Sequence, residues 1–224
     1  MIYLSKKKRE EQLPDFWKTY AHAFEEKLPK DITDTCFVVL DTETTGFDYQ
    51  KDRILCMGAL RLQNHQIKVK ESFEVYLDQE HYDVASAHVH GLLQQEKKTQ
   101  ISEQEAIEQF LVYIKNKVLV GHHIGFDVEM INQMLKRTGL PKLLNHVLDT
   151  AELYRRTLLP TPILYKKANY SLDDLARKFS IPRKDRHTAL GDAYITAIAF
   201  LEILEQLKPK KMTNLLKKPK NSIF

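Results

Sequence analysis

Cysteine is scarce in this chain. Two occur in 224 residues, Cys36 and Cys56, and neither has a companion Cys or His at zinc-site spacing. That excludes a zinc ribbon or finger and a disulfide-stapled secreted scaffold. Both lie in apolar, strand-like segments, which suits reduced thiols packed in a reducing compartment; a single Cys36–Cys56 disulfide is the alternative. Long apolar runs are also missing. None approaches the roughly 18–20 residues that a membrane span requires. The opening MIYLSKKKREEQ places charges where a secretory leader needs its apolar stretch, so the expectation is a cytoplasmic protein. Repeats, low-complexity tracts and internal linkers are absent as well, which excludes solenoid and linker-rich architectures.

What is present is an ordinary globular composition, 43% hydrophobic and 29% charged, long enough for one domain with short appendages. The net charge of +4 is unevenly spread. The last 18 residues, Leu207 to Phe224, carry six lysines and no acid; without them 28 basic residues face 30 acidic ones, a net −2. A slightly acidic body thus carries a basic tail, which suits either weak phosphate attraction or plain solvation. The chain divides into a helical appendage over 1–34, a domain over 35–207 and a lysine-rich tail over 208–224. In the appendage Phe16, Trp17, Tyr20 and Phe24 recur at helical spacing, a stripe that packs on the domain's own surface or binds a partner.

Periodicity orders the domain. Cys36–Leu40 is a short apolar strand ending in DTETTG, and Arg53–Leu62 and Ile67–Leu77 form a hairpin about the turn Gln63–Gln66. Ser102, three residues before Glu105, opens a helix carrying Ala106, Phe110, Leu111 and Ile114. Val118–Val120 is a further strand, leading through GHHIGFD into a helix that ends near Arg137, before Gly139 and Pro141. His146–Thr150 is a fifth strand, and Ser171 caps a helix with Leu172, Leu175 and Phe179. A last helix runs from about Thr188 to Leu207, with Leu190, Tyr194, Ala197, Leu201 and Leu204 down one face. Strands alternating with helices after an initial hairpin predict an α/β fold with a mixed sheet of about five strands.

Against this frame a few polar residues stand out. Asp41 and Glu43 are two apart at a strand end, so alternation sends both carboxylates to one face. Without a cation such a pair repels and one member protonates; alone, it reads equally as a solvated loop. Asp127 sits where a strand gives way to a helix, a place the helix dipole favours for any acid. Asp192 lies among Ala189, Leu190, Ala193 and Tyr194, where an acid beside an apolar face calls for a partner. His187 is five residues earlier; on a continuous helix the two would point about 140° apart, which places His187 on the preceding loop. An imidazole there titrates near neutrality and can take a proton from water, although a lone loop histidine is ordinarily only solvated.

The set in order is more telling than its members. VVLDTETTGF, LVGHHIGFD and HTALGDA, with HVHGL at His88–Leu92 between them, resemble the motifs of the DnaQ-like DEDDh 3′→5′ exonucleases, the group that includes proofreading epsilon subunits of bacterial DNA polymerase III. The likeness covers roughly Thr35–Leu207. It implies an RNase H-like fold and a two-metal hydrolase releasing nucleoside 5′-monophosphates from DNA 3′ ends. By the same resemblance Asp41, Glu43, Asp127 and Asp192 hold two Mg²⁺ or Mn²⁺ ions and His187 is the general base, with activity rising from mildly acidic toward alkaline pH. Thr42, Thr44, Val89, His90, His122 and Phe126 are the implied substrate contacts; core packing is the competing account of Val89 and Phe126. Implied partners are single-stranded or frayed DNA 3′ ends and a replicative polymerase subunit. A stand-alone repair or RNA exonuclease of the same group and a catalytically inert nucleic-acid-binding module are the rival readings. One departure stands in the second motif, where His123 replaces the family's usual Asn.

Overall fold

The computed structural model describes residues 12–79, 99–158 and 169–217. The expected nucleotide-contacting segment with Val89 and His90 lies outside them. Strand β1 runs over Phe37–Thr44, β2 over Ile54–Gln63 and β3 over Gln66–Leu77. The two residues between β2 and β3, Asn64 and His65, both have positive φ, 49° and 57°. That is the backbone a two-residue hairpin needs to match strand twist. The two-residue β4, Gln100–Ile101, precedes helix α2 (Glu103–Ile114), then β5 (Val118–Gly121), α3 (Gly125–Arg137) and β6 (Val147–Asp149); α1 is the helix over Asp15–His22 near the start of the chain. Among the described residues the sheet has the order β4-β3-β2-β1-β5-β6, antiparallel across the β1–β2–β3 meander and parallel elsewhere. It is a mixed sheet of six strands rather than about five. The extra one, β4, is too short for periodicity to reveal.

Strand β1 is longer than its apolar run. DTET remains in the ladder because β2 pairs with it, Asp41 opposite Gly58 and Glu43 opposite Cys56. A bulge follows between Glu43 and Thr44, whose partner is Ile54, so that Leu55 is skipped. Both cysteines are free thiols.

Two apolar layers flank the sheet. On one face lie Phe110, Leu111, Ile131 and Met134 from α2 and α3, with Trp17 and Tyr20 of α1. The Tyr20 hydroxyl donates to Asn145 Oδ1 at 2.6 Å and accepts the Leu144 amide at 2.8 Å. The aromatic stripe of the N-terminal segment is therefore part of this layer. On the other face pack α4 (Thr150–Thr157), α5 (Leu172–Lys178) and the long α6 (Ala189–Leu207). Ser171 and Asp174 cap α5 reciprocally, in keeping with the helix start expected at Ser171. Asp149 caps α4, accepting the Ala151 amide at 2.8 Å and the Glu152 amide at 3.3 Å. Within the lysine-rich segment Met212–Leu216 also forms a helix, which buries Met212 and Leu215. Its amphipathic turn is too short to stand out against the lysines. Among the described residues no helix is long and apolar enough to cross a membrane.

The face expected for α6 needs correction. Tyr194 is exposed, and the buried set is Ala189, Asp192, Ala193, Ile195, Thr196, Ala197, Ala199, Phe200, Ile203 and Leu204. The helix is enclosed on more than one side, by the sheet and by α4, so alanines together with Ile195, Phe200, Ile203 and Leu204 are buried rather than a single stripe. Closest approach falls at Gly58. A Cβ there would overlap the backbone of Ala189 and Leu190, at the start of α6. Only glycine lets the helix reach the sheet at that point. Gly58→Val is expected to lower unfolding free energy by about 1–3 kcal/mol, the usual cost of overpacking, measured as a shift of the urea midpoint without change in slope.

Candidate active site

The approach at Gly58 determines which side chains meet. Gly58 faces Asp41 across the ladder, so the first turn of α6 is laid beside the acidic pair of β1. One ligand oxygen each from Asp41, Glu43 and Asp192 lie within 4.8 Å of one another. Glu43 and Asp192 are 7% and 6% exposed, and Asp41 is partly buried. Asp127, 4% exposed in the first turn of α3, stands close enough to act on Asp41 electrostatically. Its Oδ1 accepts the Thr42 amide at 2.9 Å and the Thr42 hydroxyl at 2.7 Å. The four carboxylates expected from the sequence therefore converge, three tightly and Asp127 beside them.

Their charge is poorly accommodated by protein alone. Burial, reinforced by Asp127, Asp192 and Glu43, pushes Asp41 well above the usual carboxylate range. Burial, with Asp192 adding to it, pushes Glu43 up to about 7. Asp127 is also raised to about 7 by burial, against the Thr42 hydrogen bonds. Asp192 is raised by burial and held back by Arg186. Among the described residues its buried Oδ1 has no hydrogen-bond partner. Buried, mutually repelling oxygens with an orphaned acceptor fit a hard divalent cation such as Mg²⁺ or Mn²⁺. Without nitrogen or sulfur in the cluster, zinc is the poorer match.

His187 lies on the loop before α6, as the spacing argument required, exposed and at φ 65°. Thr188 caps the helix, its hydroxyl accepting the Gly191 amide at 3.1 Å and donating to the Asp185 carbonyl at 2.9 Å. Gly191 has no room for a Cβ, which would strike Asp185 O and Thr188 Oγ1. The loop is thus pressed onto the helix's first turn and holds the imidazole near Asp192.

Other expected contacts face inward. Thr42 is committed to Asp127, and the Thr44 hydroxyl donates to the Gly46 carbonyl at 2.8 Å. Both are buried and support the site from beneath. His122 Nδ1 pairs with Thr150 Oγ1 at 2.9 Å, and burial lowers its pKa to about 4, so it is neutral at physiological pH. His123 has φ 57°, in the left-handed region where Asn, Asp and His are over-represented. A histidine in place of the family's Asn therefore preserves the backbone.

Phe126 is half-buried at the edge of the core layer that includes Ile124 and Met130. It packs against Phe47 and Tyr49, with ring centroids 5.7 and 5.6 Å away. Phe47 is 87% exposed and Tyr49 40%. Sequence reasoning misses both, together with Arg186. The signal available for the first two is a pair of aromatics in a turn-rich loop with no helix or strand period to bury them.

Every carboxylate of the cluster has its folded-state pKa raised above the ordinary value. The folded protein therefore binds more protons than the unfolded chain between 3.8 and about 7 for Asp127. Stability contributed by the protonated cluster is present at acidic pH and lost as pH rises through that window. In a chelator the thermal midpoint is expected to fall from about pH 5 to about pH 8; Mn²⁺ at the higher pH should restore it, as calorimetry would show.

Comparison with known proteins identifies the family and the fold. Residues 38–200 match the family described as Exonuclease (RNase_T). The epsilon subunit of DNA polymerase III from Aquifex aeolicus is 32% identical over 183 residues, which cover 81% of this chain and 86% of that protein. The PolC-type DNA polymerase III of Thermotoga petrophila is 33% identical over 180 residues, 80% of this chain but only 12% of that much longer protein. Among solved structures, exonuclease I superposes with a TM-score of 0.64 at 17% identity, over 82% of this chain and 42% of the other. E. coli exonuclease I in complex with a dT13 oligonucleotide gives 0.65 at 16%, over 78% and 42%. At such identities the structural likeness speaks for the fold, the RNase H-like architecture. The family assignment rests on the sequence matches: the chain belongs to the RNase_T exonuclease family.

Proposed function

We propose that this enzyme removes nucleotides one at a time from the 3′ ends of DNA, releasing nucleoside 5′-monophosphates, and that it serves proofreading beside a replicative polymerase. The observation that carries the reading is the convergence of Asp41, Glu43 and Asp192, with a buried oxygen of Asp192 that has no hydrogen-bond partner among the described residues. Its kinship to an epsilon subunit along nearly that protein's whole length favours DNA proofreading over stand-alone repair or RNA degradation. An intact set of carboxylates favours an enzyme over an inert binding module.

In this reading Asp41, Glu43 and Asp192 hold Mg²⁺ or Mn²⁺, with Asp127 completing the set for a second ion. When bound, the ions supply positive charge to the attacking and leaving oxygens of an in-line displacement. The protein's part is orientation. Thr42 fixes the Asp127 carboxylate by two hydrogen bonds, and the Gly191–Thr188 contacts fix the loop that carries His187. A ring nitrogen of His187 takes the proton of the attacking water. The new bond forms between that oxygen and phosphorus as the bond from phosphorus to the 3′-oxygen breaks, and the leaving oxygen is protonated from solvent. Phe47 and Tyr49, packed on Phe126 next to Asp127 in the chain, offer exposed rings on which terminal bases stack irrespective of sequence. Unpaired ends cost less to bring there than paired ones, so mismatched termini are the preferred substrates.

Asp41→Asn should lower kcat on a single-stranded oligomer by about 10³-fold, comparable to losing one strong electrostatic contact in the transition state, and should abolish Mn²⁺ binding. Full turnover by this variant removes the metal assignment. His187→Ala should lose about 10²–10⁴-fold and its rise of rate with pH; a surviving pH profile assigns the base elsewhere. Phe47→Ala with Tyr49→Ala should raise KM about tenfold or more, since stacking contributes about 1–3 kcal/mol per base, while kcat changes little. Comparing matched DNA and RNA oligomers separates the two substrate classes.

A further inference from the structure

A cation already reaches the carboxylate cluster. It is the guanidinium of Arg186, the residue before His187. Its Nη1 donates to Asp192 Oδ2 in a short, charge-assisted hydrogen bond. From its other edge, Nε and Nη2 donate to the two carboxylate oxygens of Asp173, at 3.0 and 3.2 Å. The side chain is 18% exposed and that of Asp192 8%. Its field also reaches Asp41 and Glu43, easing the ionisation of both. Arg186 thus lies between two anionic sites. One is Asp173, partly exposed on α5. The other is the buried cluster.

The backbone on either side is fixed. Gly191 is pressed against Asp185 O, and the Asp192 amide donates to the Thr188 carbonyl at 2.8 Å. Arg186 and Asp192 therefore keep their main-chain separation, and the exchange that remains open is a rotation of the arginine side chain. A divalent ion held by Asp41, Glu43 and Asp192 repels a guanidinium bonded to one of the same carboxylates. Asp173 already holds the guanidinium through a bidentate pair, so the arginine can release Asp192 and keep an anionic partner.

We propose that Arg186 is a resident counter-ion of the metal-free site, competing with the divalent cation for Asp192 and withdrawing onto Asp173 when the ion loads. The inference rests on the reading of the acidic cluster as a metal site. It makes metal affinity a balance between two carboxylates that flank one arginine, and it makes Asp173, outside the cluster, a residue that tunes the site. Arg186 is on this account a positioning residue whose neighbour in the chain is the general base. Loading the ion releases the side chain next to His187.

Calorimetric titration with Mn²⁺, independent of turnover, tests the exchange. Arg186→Gln is expected to bind Mn²⁺ about tenfold more tightly, the size expected on removing one unit charge near a divalent ion even with water-like screening. It should also have a lower thermal midpoint in chelator, a loss that saturating Mn²⁺ largely removes. Arg186→Lys, which keeps the charge, should remain close to the wild-type affinity. Asp173→Asn should shift affinity the opposite way, toward weaker binding, because the arginine loses its alternative seat; this partly exposed position also serves if Arg186→Gln folds poorly. Equal or weaker Mn²⁺ binding by a folded Arg186→Gln, or unchanged binding by Asp173→Asn, overturns the competition. Wild-type protein that binds no Mn²⁺ overturns the metal reading and the competition together, whereas wild-type binding with unresponsive variants overturns the competition alone.

Discussion

Four carboxylates that repel one another, brought together out of water, are the constraint around which the rest of this molecule is arranged. Burial alone raises each of them, so protein contacts must oppose that tendency to keep the set in place. Thr42 supplies two hydrogen bonds to Asp127, and Arg186 supplies charge to Asp192. The covalent frame does the remainder. Alternation along β1 aims Asp41 and Glu43 alike, the start of α3 supplies Asp127, and the absence of a side chain at Gly58 admits α6 with Asp192. Folding energy is spent here to hold a geometry that becomes favourable once hard cations arrive.

Much of this is legible in the residues. The strands around DTETTG and GHHIGFD, the helix after GHHIGFD, and the loop position of His187 come from periodicity, capping and a rotation argument. Strand ends and face assignments are less so. DTET looks like a loop because it is polar, yet β2 pairs with it through Thr44. Tyr194 looks like core because of its spacing, yet α6 is buried through Ala193, Ala197, Phe200 and Ile203 and the tyrosine is left outside. Tertiary pairing overrides local pattern in both cases.

The site shows the same division. The carboxylates and the histidine can be found because their motifs, taken in order, resemble those of an exonuclease family, whereas the spacing of each alone admits a plainer reading. Arg186, Phe47 and Tyr49 cannot, since a guanidinium reaching across to the first turn of α6 and an aromatic cluster on a loop depend on where the chain goes afterwards. Conversely Thr42 and Thr44, implied as substrate contacts by the resemblance, turn their side chains inward. Buried hydroxyls seek acceptors, and Asp127 and the Gly46 carbonyl are the acceptors available.

The bulge at Glu43 and Thr44 has a longer reach than its one skipped residue suggests. It ends the regular ladder just past the last acidic position of β1 and turns the chain into the 45–53 stretch, where Asp52 ties down Thr45 and Asp48 while Phe47 stands clear. Such insertions sharpen local twist and detach the downstream residues from strict pairing. On the proposed function, holding the polymer and cutting it fall to neighbouring pieces of the chain. The aromatic loop can then change in length and ring chemistry, at a designer's hand, without altering the carboxylates.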